Sequence, residues 1–417
     1  MQHRPDPLPP SGAPAPRVRL DPGDPLGLVD LAVGYLASRA AEPDGPGAAR
    51  LPSDPGVPVL AHTVASLGGP PEAGRAAADA VAAWTRSAGR GPGHPGLYDG
   101  GLAGTLVGLR LGATLHPRLH PVADRLRDRL VAAAVTGGGR RQGVRLTDYD
   151  LVLGPAGVLL AHCAGTSPEP DHLLPYRARL AGLCDSEDLW RLRTDGYAGH
   201  PHLAWLQGRV NTGMAHGAAG VAAALTAAVR HTGPAAGDAL RRAATWLEAQ
   251  AYEDERGLPA WPGAGLDGEA PPRGAVARQA WCYGAPGVAW ALWDAADALG
   301  DAGAASRAAD VFTRLADRYD EGFHLGGDGP ADVLGLCHGA AGVLAVADAF
   351  ARHAGHAGAA RLRERLAALL QERLPKALAA PSGWSAELLT GAPGALAALL
   401  TAAHGASRAW LPCLGLR

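Results

Sequence analysis

Cysteine, aromatic residues and long apolar runs are all scarce in this 417-residue chain, and each scarcity removes a class of protein. Five scattered cysteines (163, 184, 282, 337 and 413) are too few to staple a chain of this length, so they read as thiols or metal ligands in a reducing compartment. Aromatics make up 5% of the residues and alternating β-branched runs are few, which argues against a sheet-based fold. The most apolar stretches, 214–229 and 389–407, are broken by Gly or His and built from Ala more than Leu, which does not suit a membrane span. With 38 basic and 40 acidic residues well mixed there is no basic stripe, and nucleic acid is excluded as a partner. Residues 1–24 are proline-rich and lack the apolar core of a secretory signal, which predicts a disordered arm and a cytoplasmic protein.

What the chain does have is a repeat. Gly-x-x-Gly units begin at Gly101, Gly154, Gly217, Gly284, Gly339 and Gly391, and a worn seventh, "GVPV", begins at Gly56 with Val59 in place of the second glycine. Each unit opens an apolar run of small residues, such as 220–229 or 342–350, suited to a helix packed closely on most sides. Between the units lie amphipathic stretches with one charged face, including 237–251, 305–320 and 359–374. Inner and outer helices alternating seven times predict an all-α fold: one α/α toroid over 25–417, of seven helical hairpins with the Gly-x-x-Gly units at the inner-helix N-termini. An open solenoid of the same pairs is the alternative, but distinct end caps are not evident.

If the repeats are equivalent, the residues just ahead of each unit share one rim of the ring. Directly before it stand His216, Tyr283 and His338 in three consecutive repeats, and one place earlier stand Cys282 and Cys337. Neighbouring repeats are neighbours in space, so Cys282 can meet the adjacent pair Cys337 and His338 although the two places are distant in sequence. Two sulfurs and an imidazole suit zinc, and three protein ligands without an obvious fourth match a catalytic rather than a structural site. Two buried cysteines and a core histidine are the plain alternative; the shared phase within the repeat is what favours a metal. The N-terminus of the helix behind each cysteine should also favour thiolate. His216 can exchange protons near neutral pH, Asp150 lies four residues before Gly154 and can reach the same rim, with Asp148 as its near rival, and Arg278 can supply a fixed positive charge. Trp281 and Tyr283 flank the site by sequence and read either as groove lining or as packing.

Taken together, "GMAHG" around His216, "WCYG" around Cys282 and "CHG" around Cys337 and His338, with "YDLVLGPAG" around Asp150 as a looser match, resemble the lanthionine cyclase C family and its LanC-like relatives. The resemblance covers most of the chain after about residue 25, and the seven Gly-x-x-Gly units are part of it. It implies one zinc per chain on Cys282, Cys337 and His338, proton transfer by His216 and Asp150, and support from Arg278. It also implies a substrate: a ribosomal peptide whose Ser and Thr have become dehydroalanine and dehydrobutyrine, closed into (methyl)lanthionine rings by addition of cysteine thiolates. No segment for dehydration fits in the remaining length, so a separate dehydratase and an exporter are expected as partners, with the chain cytoplasmic, including at the edge of a membrane-associated biosynthetic complex. The worn unit at Gly56 to Val59 puts only the first hairpin in question.

Three other readings stay open on sequence. The first keeps the zinc but adds glutathione or another small thiol to dehydroamino acids in proteins. A second makes the zinc structural, closed by a fourth ligand such as His216, in a non-catalytic scaffold of a biosynthetic complex. The last is the toroid of protein prenyltransferase β subunits, which lack this pair of Cys-x-Gly turns.

Overall fold

The computed structural model describes residues 25–41, 53–91, 93–270, 279–380 and 384–417, so the proline-rich arm lies outside the described residues. Within them the chain is an α/α toroid. The inner helices are α2 (Gly56–Ser66), α4 (Leu102–Gly112), α6 (Pro155–Cys163), α8 (Ala218–Thr232), α10 (Ala285–Leu299), α14 (Ala340–His353) and α16 (Ala392–His404). The outer helices are α1 (Pro25–Ala41), α3 (Pro71–Ser87), α5 (His120–Thr136), α7 (Pro170–Leu183), α9 (Gly237–Ala249), α11 (Ala302–Arg318) and α15 (Ala357–Leu378). Each inner helix packs on the next, and α16 packs on α2, so the ring closes rather than running on as a solenoid. Two short helices, α12 (Glu321–His324) and α13 (Pro330–Val333), sit between α11 and α14, and the only paired strands among the described residues are β1 (Tyr252–Glu253) and β2 (Pro259–Ala260).

Composition sorts the helices as the pattern predicts. Inner helices such as α14 bury nearly every residue from Ala340 to Phe350, possible because Ala and Gly let backbones approach on several sides. Outer helices bury one stripe: α11 hides Ala308, Ala309, Phe312, Leu315 and Ala316 at helical spacing and leaves its charged face wet. The second glycine of each unit answers to a close approach. A Cβ on Gly287 would overlap the carbonyl oxygen of Trp281, and one on Gly342 that of Leu336, because the turn ahead of each inner helix folds back across the helix's first turn.

Those turns are tied to one another around one rim. Leu97 and Tyr98 N–H donate to Val152 O, Leu151 N–H to Ala215 O, Met214 N–H to Cys282 O, Cys282 N–H to Cys337 O, and Cys337 N–H to Leu389 O, at 2.9–3.3 Å. The worn first repeat completes this chain by other means. Asp54 accepts the Leu388 N–H at 2.7 Å and the Gly56 N–H at 2.9 Å on one carboxylate oxygen, so a side chain stands where the other turns offer a carbonyl. The first hairpin, put in question by Val59, is therefore present: Val59 is fully buried in α2.

Burial pushes the Asp54 carboxyl up to about 7, against the pull of its two backbone N–H donors. An unfolded chain releases this proton near 3.8 while the folded chain holds it to about 7, so folding takes up a proton in that interval and stability falls as pH rises through it. Asp54→Asn keeps the accepting oxygen and cannot ionise. Urea melts between about pH 4 and 7 should show the parent losing ground to Asp54→Asn by on the order of 1 kcal/mol per pH unit, then a constant gap at higher pH. A difference that does not change with pH would mean that the carboxylate is charged in the folded ring.

Candidate active site

The turn ahead of α10 carries Cys282, and the turn ahead of α14 carries Cys337 and His338. Their direct backbone bond sets the two sulfurs side by side. One donor atom from each of Cys282, Cys337 and His338 lies within 4.8 Å of the others. Cys282 is buried, while Cys337 and His338 are partly open. Two sulfurs and an imidazole at this spacing fit a four-coordinate zinc, which needs about 2.3 Å to sulfur and about 2.0 Å to nitrogen and therefore only small side-chain shifts. No fourth His, Cys, Asp or Glu joins the cluster among the described residues.

The Cys337 thiol is held well above its ordinary value, first by its hydrogen bond with the Cys282 sulfur and then by burial. The expectation that the helix N-terminus behind it would favour thiolate is therefore not met at Cys337, where the neighbouring sulfur and burial outweigh that effect in the metal-free chain. The other cysteines are elsewhere. Burial pushes Cys163 and Cys184 up to about 12 and Cys413 higher still, which leaves all three as inert thiols.

His216 occupies the same phase one repeat earlier, in a turn bonded to Cys282 through the Met214 N–H. Its Nδ1 meets Asp150 Oδ2 at 2.6 Å, and its side chain is 30% exposed, so Nε2 is the nitrogen left for a substrate. Asp150 is fully buried; its Oδ1 accepts the N–H groups of Leu153 and Gly154 at 2.7 and 2.8 Å, at the entrance to α6. Burial raises the Asp150 carboxyl and its contact with His216 lowers it, the former prevailing. Asp148, the rival, faces away from this pair: it accepts from the backbone of Arg140 and Arg145 and pairs with Arg179 at 3.1 Å. Arg278 lies outside the described residues.

Several contributors escaped the sequence. Asp332, on α13, approaches His338 Nδ1 at 3.3 Å and can orient that ring. Asn211 donates to the Tyr283 hydroxyl at 2.6 Å. The two flanking aromatics divide: Trp281 is fully buried with its indole N–H on Leu414 O at 2.9 Å, whereas Tyr283 is only partly buried beside the cluster. Gly284, at φ 100°, makes the turn between Tyr283 and α10 in a conformation that glycine alone adopts readily. An acid six residues before a histidine is a weak cue; only the fold of α13 brings Asp332 to the ring.

The molecule is thus a helical toroid with a thiol-rich, metal-competent cluster and a histidine–aspartate pair on adjoining turns of one rim. The profile of the lanthionine synthetase C-like protein family matches residues 134–414, and the chain belongs to that family. Among solved structures it is similar to one described as nisin cyclase, with a TM-score of 0.73 and 19% sequence identity over 93% of this chain and 96% of that one. No curated protein matches in sequence.

The cluster makes a direct prediction. Titration of the purified chain with Co²⁺ should produce thiolate-to-metal charge-transfer absorption saturating near one ion per chain, and Cys337→Ser should reduce it at least about tenfold in affinity. An undiminished spectrum in Cys337→Ser would separate that sulfur from the metal.

Proposed function

We propose that the chain is a zinc-dependent lanthipeptide cyclase, with residues 25–417 as one catalytic unit and a separately dehydrated precursor peptide as its substrate. The observation that carries this reading is the convergence of Cys282, Cys337 and His338 to within 4.8 Å on two adjoining turns, the first of them bonded to the turn bearing His216. Cys282, Cys337 and His338 would hold a zinc, which would supply a lowered thiol pKa to an incoming peptide cysteine at neutral pH, where a free thiol with pKa about 8.5 is mostly protonated. The lack of a fourth protein donor among the described residues favours an open catalytic position over a closed scaffold site.

In the proposed reaction the peptide sulfur bonds to the β-carbon of dehydroalanine or dehydrobutyrine as its own proton leaves. The double-bond pair moves onto the α-carbon and adjoining carbonyl, and a proton is then delivered to the α-carbon. The net change is addition of S–H across C=C. His216 Nε2 delivers that proton, because Nδ1 is engaged by Asp150 and the ring cannot turn without breaking a 2.6 Å contact to a buried carboxylate. Asp150 holds the tautomer and balances the charge of the protonated ring, in the manner of other histidine–carboxylate pairs. Arg278 is assigned the support of the developing negative charge. Asp332 steadies His338. No helix among the described residues is long and apolar enough to cross a membrane, and the chain is proposed to act in the cytoplasm beside its dehydratase and exporter.

His216→Ala should keep the metal and its stoichiometry while ring closure of a dehydrated peptide falls about 10²- to 10⁴-fold, followed by alkylation of unreacted cysteines and mass spectrometry. Full-rate, single-isomer cyclisation by that variant would remove His216 from the mechanism.

A further inference from the structure

The segment joining α7 to α8 carries an exposed aromatic that the fold does not need for its own core. Trp205 lies in a short 3-10 turn, Ala204–Leu206, and is 45% exposed. It is nonetheless fixed in place. Its indole N–H donates to His202 O at 2.9 Å, and its ring lies so close to Gly263 that a Cβ there would come within 3.0 Å. The same ring meets Tyr283 edge-on, with centroids 6.4 Å apart and planes at 66°.

Tyr283 directly follows Cys282, and its own position is set from both sides. Asn211 donates to its hydroxyl at 2.6 Å while accepting the Gly213 N–H at 2.8 Å, and Gly213 abuts the Tyr283 ring and the Cys282 carbonyl. Trp205 is therefore one rigid contact from a residue adjoining the thiol cluster. Its polar handle is already spent on His202, so what it offers outward is apolar ring surface only. The charged side chains of the same flank are engaged with one another: Arg193 pairs with Asp267 at 2.8 Å and Arg209 with Glu269 at 3.3 Å.

We infer that Trp205 is a specificity-determining residue, whose outward ring face seats an apolar side chain next to the reacting cysteine of the peptide. The inference rests on the cyclase reading for its choice of ligand. It is tested without any ring closure. Fluorescein-labelled peptides carrying Ser in place of Cys, flanked by Phe, Gly or Lys, are titrated with the full chain and followed by anisotropy. The parent should bind the Phe peptide about tenfold more tightly than the Gly peptide, the scale of one aromatic contact plus its buried area. Trp205→Ala should lose that preference, and Trp205→Phe should restore most of it, with Co²⁺ stoichiometry and urea midpoint unchanged in both.

The same preference in parent and Trp205→Ala, no preference in the parent, or tighter binding of the Lys peptide would each overturn the inference. Failure to close rings on a dehydrated peptide would instead count against the cyclase reading, since the serine peptides cannot react.

Discussion

The backbone hydrogen bonds that join the turns ahead of the inner helices are the constraint on which the rest depends. A buried N–H or C=O that leaves a helix must find another partner, and here the turns from Leu97 to Cys337 find it in the next repeat. These bonds fix the phase of one repeat against its neighbour. Once the phase is fixed, a residue type placed at one position in two consecutive repeats becomes a pair in space. Cys282 and Cys337 are such a pair: the N–H of one donates to the carbonyl of the other, and their sulfurs follow the backbone. His216, one turn further round, joins the same rim by the same means.

The ring is not made of identical links. Where the first repeat lacks the glycine and the standard turn, Asp54 supplies a carboxylate oxygen to Leu388, and the Trp84 indole holds the Asp54 carbonyl at 2.8 Å. A buried acid is a costly substitute for a carbonyl, and this one keeps its proton to about 7. Asp150 uses buried carboxylate chemistry differently. One oxygen caps its own helix entrance and the other is free to hold His216, so the same residue anchors a turn and fixes the orientation of an imidazole. The contrast with Asp148, two residues away and committed to Arg179, is set by which side of the turn each faces.

Much of this was legible in order along the chain. Alternating apolar and amphipathic stretches marked α8, α9, α11, α14 and α15 with ends shifted by only a few residues, because packing on all sides and packing on one side leave different residue patterns. The shared phase of Cys282 and Cys337 marked the cluster. The fates of Trp281 and Tyr283 were not legible, since two aromatics two residues apart look alike until the C-terminal segment covers one and Asn211 reaches the other. Asp332 and Trp205 were invisible for a similar reason: each sits in a single short helical turn, too short to leave a periodicity to read.

By itself the sequence determined the repeat, the helical class, the residue types at each phase and hence the identities of the three metal-competent donors. Those follow from local rules, hydrophobic period and glycine spacing, that act within a few turns of chain. Only the tertiary structure decided that the ring closes through Asp54, that His216 is held by Asp150 rather than Asp148, and that Trp205 meets Tyr283. Each of these is a contact between residues 55 or more positions apart, fixed when seven hairpins settle into one ring. A linear pattern holds no distance between such residues until the turns bond to one another.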